Sequence, residues 1–410
     1  MTLRPGLTPS ASATSARALD IGRGMAMLLV IYGHALAPWF MEAHGRFSEA
    51  AFLQWKFGAS FLMPFFFVVS GLTWRAEKSL RAMLRESLVL IITAWAASVA
   101  IDVVRLMLTW GDLSALLGQE PLSVWRFLRH ALRMAVLGDF YSMSALWFLA
   151  ALGLVRLFAA VGTRLGGAVP IVLILVLIAA GLTAQAMGWR SIHQIYLLGM
   201  ALACFLGGHA ARNAFERLLG RPGLAFAIMV ICGAAVSLTF GLNQGCLIDA
   251  TKVCGIPSLE GNFGVSMMHG GYGNLPLFMF TALAGISFAL AAIVLIAQAS
   301  GPVVEFLRLT GRRTINVLIV NAAVLEFANP SLSRWVVPQI AADAPHFFAA
   351  LFVISVAFTM LGVFIFKTPL KALRSFARAL AHYLVALWPD SRTIPILALP
   401  PDRVSAGHER

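Results

Sequence analysis

Near the start of the chain, the apolar stretch "LDIGRGMAMLLVIYGHALAPW", Leu19 to Trp39, holds an arginine and a histidine eleven residues apart. On a helix those eleven steps make three turns with about 20° left over, so Arg23 and His34 share one face, about 16 Å apart. Asp20 falls near the same face. A first-turn arginine can snorkel to the headgroups and pair with Asp20. His34 is too deep to snorkel. It is either a satisfied hydrogen-bonding residue or a functional group, since an ionisable side chain at depth costs insertion energy.

Other polar residues could share this chemistry. In "SFLMPFFFVVSGLTWR", Pro64 and Ser70-Gly71 interrupt an apolar run; Gly71 suits close helix packing, and Ser70 could offer a hydroxyl to a polar cavity. Arg81 and Arg85 follow at i, i+4, a spacing that can clamp phosphate groups, although inward-facing positive charge explains them equally well. In "TGRRTINVLIVNAAVLEF", Asn316, Asn321 and Glu326 are spaced by five and form no single stripe. Glu326 lies about 18 Å past Thr314. At that depth it could orient the His34 imidazole, or it could sit at the outer interface.

The elements that position these residues follow from composition. The chain has 410 residues, of which 60% are hydrophobic and 12% charged, with a mean hydropathy of +0.83. A soluble chain would carry about 25% charged residues. Apolar runs near 21–40, 52–74, 87–108, 145–162, 168–188, 192–211, 223–243, 274–299, 314–329 and 346–366 are each long enough to cross a ~30 Å hydrocarbon core. The expected fold is an all-α polytopic integral membrane protein with about ten transmembrane helices plus interfacial amphipathic helices.

Loop charge sets the orientation. Segments 75–86, 212–221 and 305–313 each carry a net +2, and Lys367, Lys371, Arg374 and Arg378 follow the last run; segments 41–50, 244–273 and 330–345 are neutral or slightly acidic. The alternation predicts both termini in the cytoplasm of a multi-pass protein. It also accounts for the net charge of +13 without nucleic acid as a partner. No cleavable signal peptide is expected, because residues 1–18 are polar and small. The expected organisation is a flexible N-terminus (1–18), a membrane domain (19–366), a basic amphipathic interfacial helix (367–388) and a disordered tail (389–410).

"PLSVWRFLRHALRMAVLGD" places Arg126, Arg129 and Arg133 on one stripe and Leu128, Leu132 and Val136 on another, as in a helix lying on a membrane. The basic stripe could touch an anionic glycan or anchor on anionic lipid. Cys204 and Cys232 read as inert packing residues. Cys246 and Cys254 share the 244–273 loop; they could close a disulfide in an oxidising compartment or stand as two free thiols. No metal site is expected.

Leu19, Asp20, Arg23, Gly24, Gly33 and His34 together resemble the opening motif of the membrane-bound acyltransferase-3 superfamily, especially its fucose 4-O-acetylase-like branch, with the Arg-x10-His signature met by Arg23 and His34. "MPFFFVVSG", "ALWFLAAL" with Trp147, "GGYGNLPLFMF" and "GRRTINVLIVN" resemble later family segments in the same order, covering about residues 18–366. The chain departs from the pattern where relatives place Tyr and His and it has Leu318 and Asn321, and in its Arg81-x3-Arg85 spacing. The tail after the last apolar run is too short for the hydrolase-like domain appended in some relatives, so none is expected here.

The resemblance implies transfer of an acyl group, commonly acetyl, from acyl-CoA to a hydroxyl of an exopolysaccharide, lipopolysaccharide or other envelope glycan in the inner membrane. His34 would be the base or a transient acyl carrier, supported by Asp20. Arg23, Arg81 and Arg85 would hold donor phosphates, and Ser70 and Trp147 would line the path. Asn321, Glu326 and the Arg126, Arg129, Arg133 stripe would support the acceptor. Membrane lipids and polysaccharide-synthesis machinery are the expected partners, and no tightly bound cofactor is expected. A transporter or flippase for a glycan or lipid-linked intermediate would share intramembrane Arg and His; the first motif and the absence of internal repeats favour the enzyme.

Overall fold

The computed structural model describes residues 11–40, 48–111, 113, 121–138, 140, 145–187, 193–243, 264–265, 267–336 and 345–387. Cys246 and Cys254, and the tail expected to be disordered, lie outside the described residues.

The first helix, α1 (Ala11–Phe40), starts eight residues before the expected boundary. In its early turns Ser15 and Ala18 are buried, while Thr14, Ala16 and Arg17 are exposed. The second apolar run folds as α2 (Glu49–Ala59) and α3 (Leu62–Leu72). The break at Ser60–Phe61 follows from Pro64, whose ring would clash with the carbonyl four residues earlier in a continuous helix. The Ser70-Gly71 pair, by contrast, lies inside α3 and interrupts nothing.

Next come α4 (Leu80–Trp110), started by the Ser79 side chain accepting from the Ala82 N–H, and α5 (Val124–Leu137), started in the same way by Ser123. Helices α6 (Trp147–Leu165), α7 (Val169–Ala186), α8 (Ile195–Ala210), α9 (Arg212–Leu219) and α10 (Pro222–Thr239) follow. The series closes with α11 (Leu275–Gln298), α12 (Pro302–Arg312), α13 (Thr314–Val336), α14 (Pro345–Ile365) and α15 (Lys367–Ala386).

Among the described residues, seven spans are long and apolar enough to cross a membrane, with α2 and α3 counted as one; α8 and α9, bent by 53°, make an eighth. α7 and α13 contribute shorter apolar stretches. The protein is an all-α polytopic membrane protein.

α5 is not among these spans and packs beside α4, where Trp95 Nε1 donates to the Ala131 carbonyl at 3.2 Å. Trp125 is 75% exposed, and Leu128, Leu132 and Val136 are exposed beside it. This is an outward apolar face with Arg126 and Arg129 also exposed, as expected of an interfacial helix.

Two glycine contacts hold the bundle where polar residues gather. A methyl group added at Gly24 would overlap the Leu307 carbonyl oxygen, and one at Gly311 would overlap that of Asp20. α1 and α12 therefore cross backbone to backbone, with Ile21, Val304 and Leu307 buried around the crossing. α12 falls in a segment that loop charge alone marks as a connection. On the other side, Gly71 meets the Phe205 carbonyl and Gly208 meets that of Val68, bringing α3 against α8. Without a hydrophobic driving force between helices in lipid, such small-residue contacts supply the packing.

Candidate active site

Arg23 is held from two sides. Its Nη1 donates to Asp20 Oδ1 at 3.2 Å and its Nη2 to Thr73 Oγ1 at 3.0 Å. Thr73 sits just past the C-terminal end of α3 and donates its own hydroxyl proton to the Ser70 carbonyl at 3.1 Å. The end of α3 is itself pinned, because Arg212 donates to the Leu72 and Trp74 carbonyls at 2.8 and 2.9 Å. An arginine on otherwise unpaired terminal carbonyls is a favourable cap. Ser70 thus reaches the site through its backbone. Thr73, absent from the sequence-based candidates, supplies the hydroxyl.

Three turns further along α1, His34 is half-buried and its Nδ1 lies 3.0 Å from Asn321 Oδ1 on α13. With the amide oxygen as acceptor, Nδ1 carries the proton and the basic lone pair is on Nε2. Asn321 is only 2% exposed and supplies the contact at Nδ1.

Glu326, also on α13, has its Oε1 3.1 Å from Arg105 Nε. Arg105 also lies 3.6 Å from Asp102, and Asp102 is 3.7 Å from His130 Nδ1 on α5. Asp102 is fully buried. The resulting group of charges ties α4, α5 and α13 together. Sequence reasoning passed over it although "AIDVVRLML" carries two charges within an apolar run, a pattern that by itself marks an intramembrane site.

A third group lies where α4, α6 and α15 meet. Arg85, Glu86, Arg156, Arg378 and His382 line an open cavity of about 470 Å³. Arg156 Nη1 is 3.9 Å from Glu86 and lies within electrostatic reach of Arg23. Of the expected phosphate clamp, Arg85 lines this cavity and Arg81 does not. Trp147 is buried against Phe148 in the core, away from the cavity lining. Arg156 was legible as an arginine well inside "LWFLAALGLVRLF" but was not singled out. Among the described residues, no group of His, Cys, Asp or Glu could hold a metal ion.

The geometry is that of a helical membrane protein with a positioned imidazole, an anchored arginine on the same helix, and a basic cavity near that arginine. The acyltransferase domain family, acyltransferase 3, matches residues 17–366. The chain belongs to this family, and the protein is a membrane acyltransferase. No curated protein and no solved structure matches the chain.

Proposed function

We propose that this acyltransferase moves an acyl group, acetyl in the simplest case, from acyl-CoA to a sugar hydroxyl of an exopolysaccharide, lipopolysaccharide or other envelope glycan. It works from the plasma (inner) membrane with both termini cytoplasmic. The observation that carries this reading is the His34–Asn321 contact at 3.0 Å, which orients the imidazole; with Nδ1 as the donor, Nε2 is the basic nitrogen.

His34 Nε2 takes the proton from the acceptor hydroxyl as its oxygen attacks the thioester carbonyl. The tetrahedral intermediate then collapses, the C–S bond breaks, and the coenzyme A thiolate takes the proton back from the imidazolium. Arg23 holds donor phosphates. The separation of about 16 Å between Arg23 and His34 along α1 is one that an extended pantetheine arm can bridge, with phosphates at the arginine and thioester at the histidine. The basic connections at the end where α1 begins fit a cytoplasmic donor.

The test uses purified protein in liposomes, given acetyl-CoA labelled in the acetyl group and a candidate envelope glycan. Label on the glycan, formed by the wild type and not by His34→Ala, supports the reading. Glycan that accumulates in the lumen without label identifies a transporter instead.

A further inference from the structure

The family match ends at residue 366, yet α15, which begins at Lys367, supplies part of the basic cavity. Ala377 and Ala381 are both fully buried against Ile92 of α4, with Leu88, Val89 and Leu380 around them. Two small side chains one turn apart let α15 come close to α4. Arg378 and His382, also one turn apart, are thereby carried into the lining of the cavity that holds Arg85 and Arg156.

Charge in this cavity is unbalanced. Three guanidiniums face one carboxylate, that of Glu86, and Glu86 is also paired with Lys78. Among the described residues, Arg85 has no acidic partner. Arg156 Nε is buried and has no hydrogen-bond acceptor there. Guanidiniums gathered around a space of this size suit a ligand with several phosphate oxygens, which accept paired N–H donors. Val89 and Leu90 add an apolar side for the part of the ligand that carries no charge.

We infer that the cavity between α4, α6 and α15 is a binding site for a phosphate-bearing ligand, and that α15, outside the family-matched segment, completes it through Arg378 and His382. Two sources have this chemistry: the phosphoadenosine end of coenzyme A, and the headgroup of an anionic phospholipid. The coenzyme A arm rests on the donor proposed above. The lipid arm does not.

The experiment measures binding to the full-length protein, with His34→Ala as the background so that no turnover intervenes. Coenzyme A is titrated calorimetrically in nanodiscs of phosphatidylcholine. In parallel, native mass spectrometry follows retained phosphatidylglycerol after purification from mixed phosphatidylcholine and phosphatidylglycerol. The paired variant Arg378→Gln/His382→Gln is compared with Arg378→Lys, with thermal unfolding as the check on folding. Coenzyme A binding weakened about tenfold or more in the paired variant, and partly kept in Arg378→Lys, assigns the site to the donor. Retained phosphatidylglycerol lost in the paired variant assigns it to lipid. Binding of neither, or equal binding by a folded paired variant, overturns the inference. If coenzyme A binds this site but the His34-intact protein acetylates no glycan, the site stands and the proposed function fails.

Discussion

Asn321 Oδ1 lies 3.0 Å from His34 Nδ1 and joins α13 to α1 in the interior of the bundle. A side-chain amide can fix an imidazole tautomer without adding charge in a medium where an unpaired carboxylate would be costly. The carboxylate of Glu326, also on α13, is paired with Arg105 at 3.1 Å.

Replacing Asn321 by leucine removes this acceptor and leaves the Nδ1 proton without its partner there. Transfer is expected to fall about 10- to 100-fold in kcat, less than the ~10²- to 10⁴-fold of the acid–base group itself, because the imidazole stays and only its orientation is lost. The loss of stability is about 1–3 kcal/mol, the cost of an unsatisfied buried polar group. Asn321→Asp, which keeps an acceptor oxygen, should recover part of kcat. Steady-state transfer kinetics on all three proteins measure the loss and recovery of kcat, and thermal unfolding measures the stability. Equal kcat in Asn321→Leu and wild type would remove Asn321 from the site.

Thr73→Val tests the anchoring of Arg23. The Nη2 contact disappears while Asp20 remains, so the guanidinium keeps its charge and loses its aim. The KM for the donor should rise several-fold, with a smaller change in kcat. Arg23→Lys should be worse than Thr73→Val, because an ammonium cannot reproduce the planar fork that reaches Asp20 and Thr73 together. A lysine variant with wild-type KM would show that charge alone matters.

Close helix crossings make sharp stability predictions. Gly24→Ala and Gly208→Ala each push a methyl group into a facing backbone carbonyl. Both should lose at least about 1–3 kcal/mol, the range for overpacked cores. Gly207 is the control: it is adjacent to Gly208 on α8, and an added methyl meets nothing within 4 Å. Gly207→Ala should be neutral or slightly stabilising, since alanine favours helix. Thermal unfolding in one detergent compares all three, and a Gly24→Ala protein as stable as Gly207→Ala would contradict the crossing.

Much of this was legible in the sequence, for physical reasons that also mark where it stopped. The apolar runs, the shared face of Arg23 and His34, and the surface helix bearing Arg126 and Arg129 follow from helical period and hydrophobicity alone. The partners of those residues do not. Thr73 and Asn321 reach Arg23 and His34 from 50 and 287 residues away, and pairings so distant in sequence depend on how the helices pack. Gly24 was seen as part of a motif, but its reason, the crossing with Gly311 of α12, needed the packed bundle. Asp102, Arg105 and Arg156 were visible as charges in apolar runs and would have been found by treating every such charge as a site.

Arg105 is the keystone of the buried charges on α4, α5 and α13. Arg105→Met strips Asp102 and Glu326 of the same cation, so stability should drop by about 3–5 kcal/mol, as when one partner of a buried pair is removed. Adding Asp102→Asn to Arg105→Met should restore part of the loss by removing the fully buried carboxylate charge. Chemical denaturation of the single and double variants measures this, and a double variant less stable than Arg105→Met would argue against the pairing.

The most direct test of His34 as the base is the rate of acyl transfer at saturating donor in His34→Ala, measured beside coenzyme A binding by the same protein. Proton removal by His34 requires the rate to fall about 10²- to 10⁴-fold while coenzyme A still binds, because the arginines that hold phosphates are untouched. Transfer at the wild-type rate by His34→Ala would contradict it.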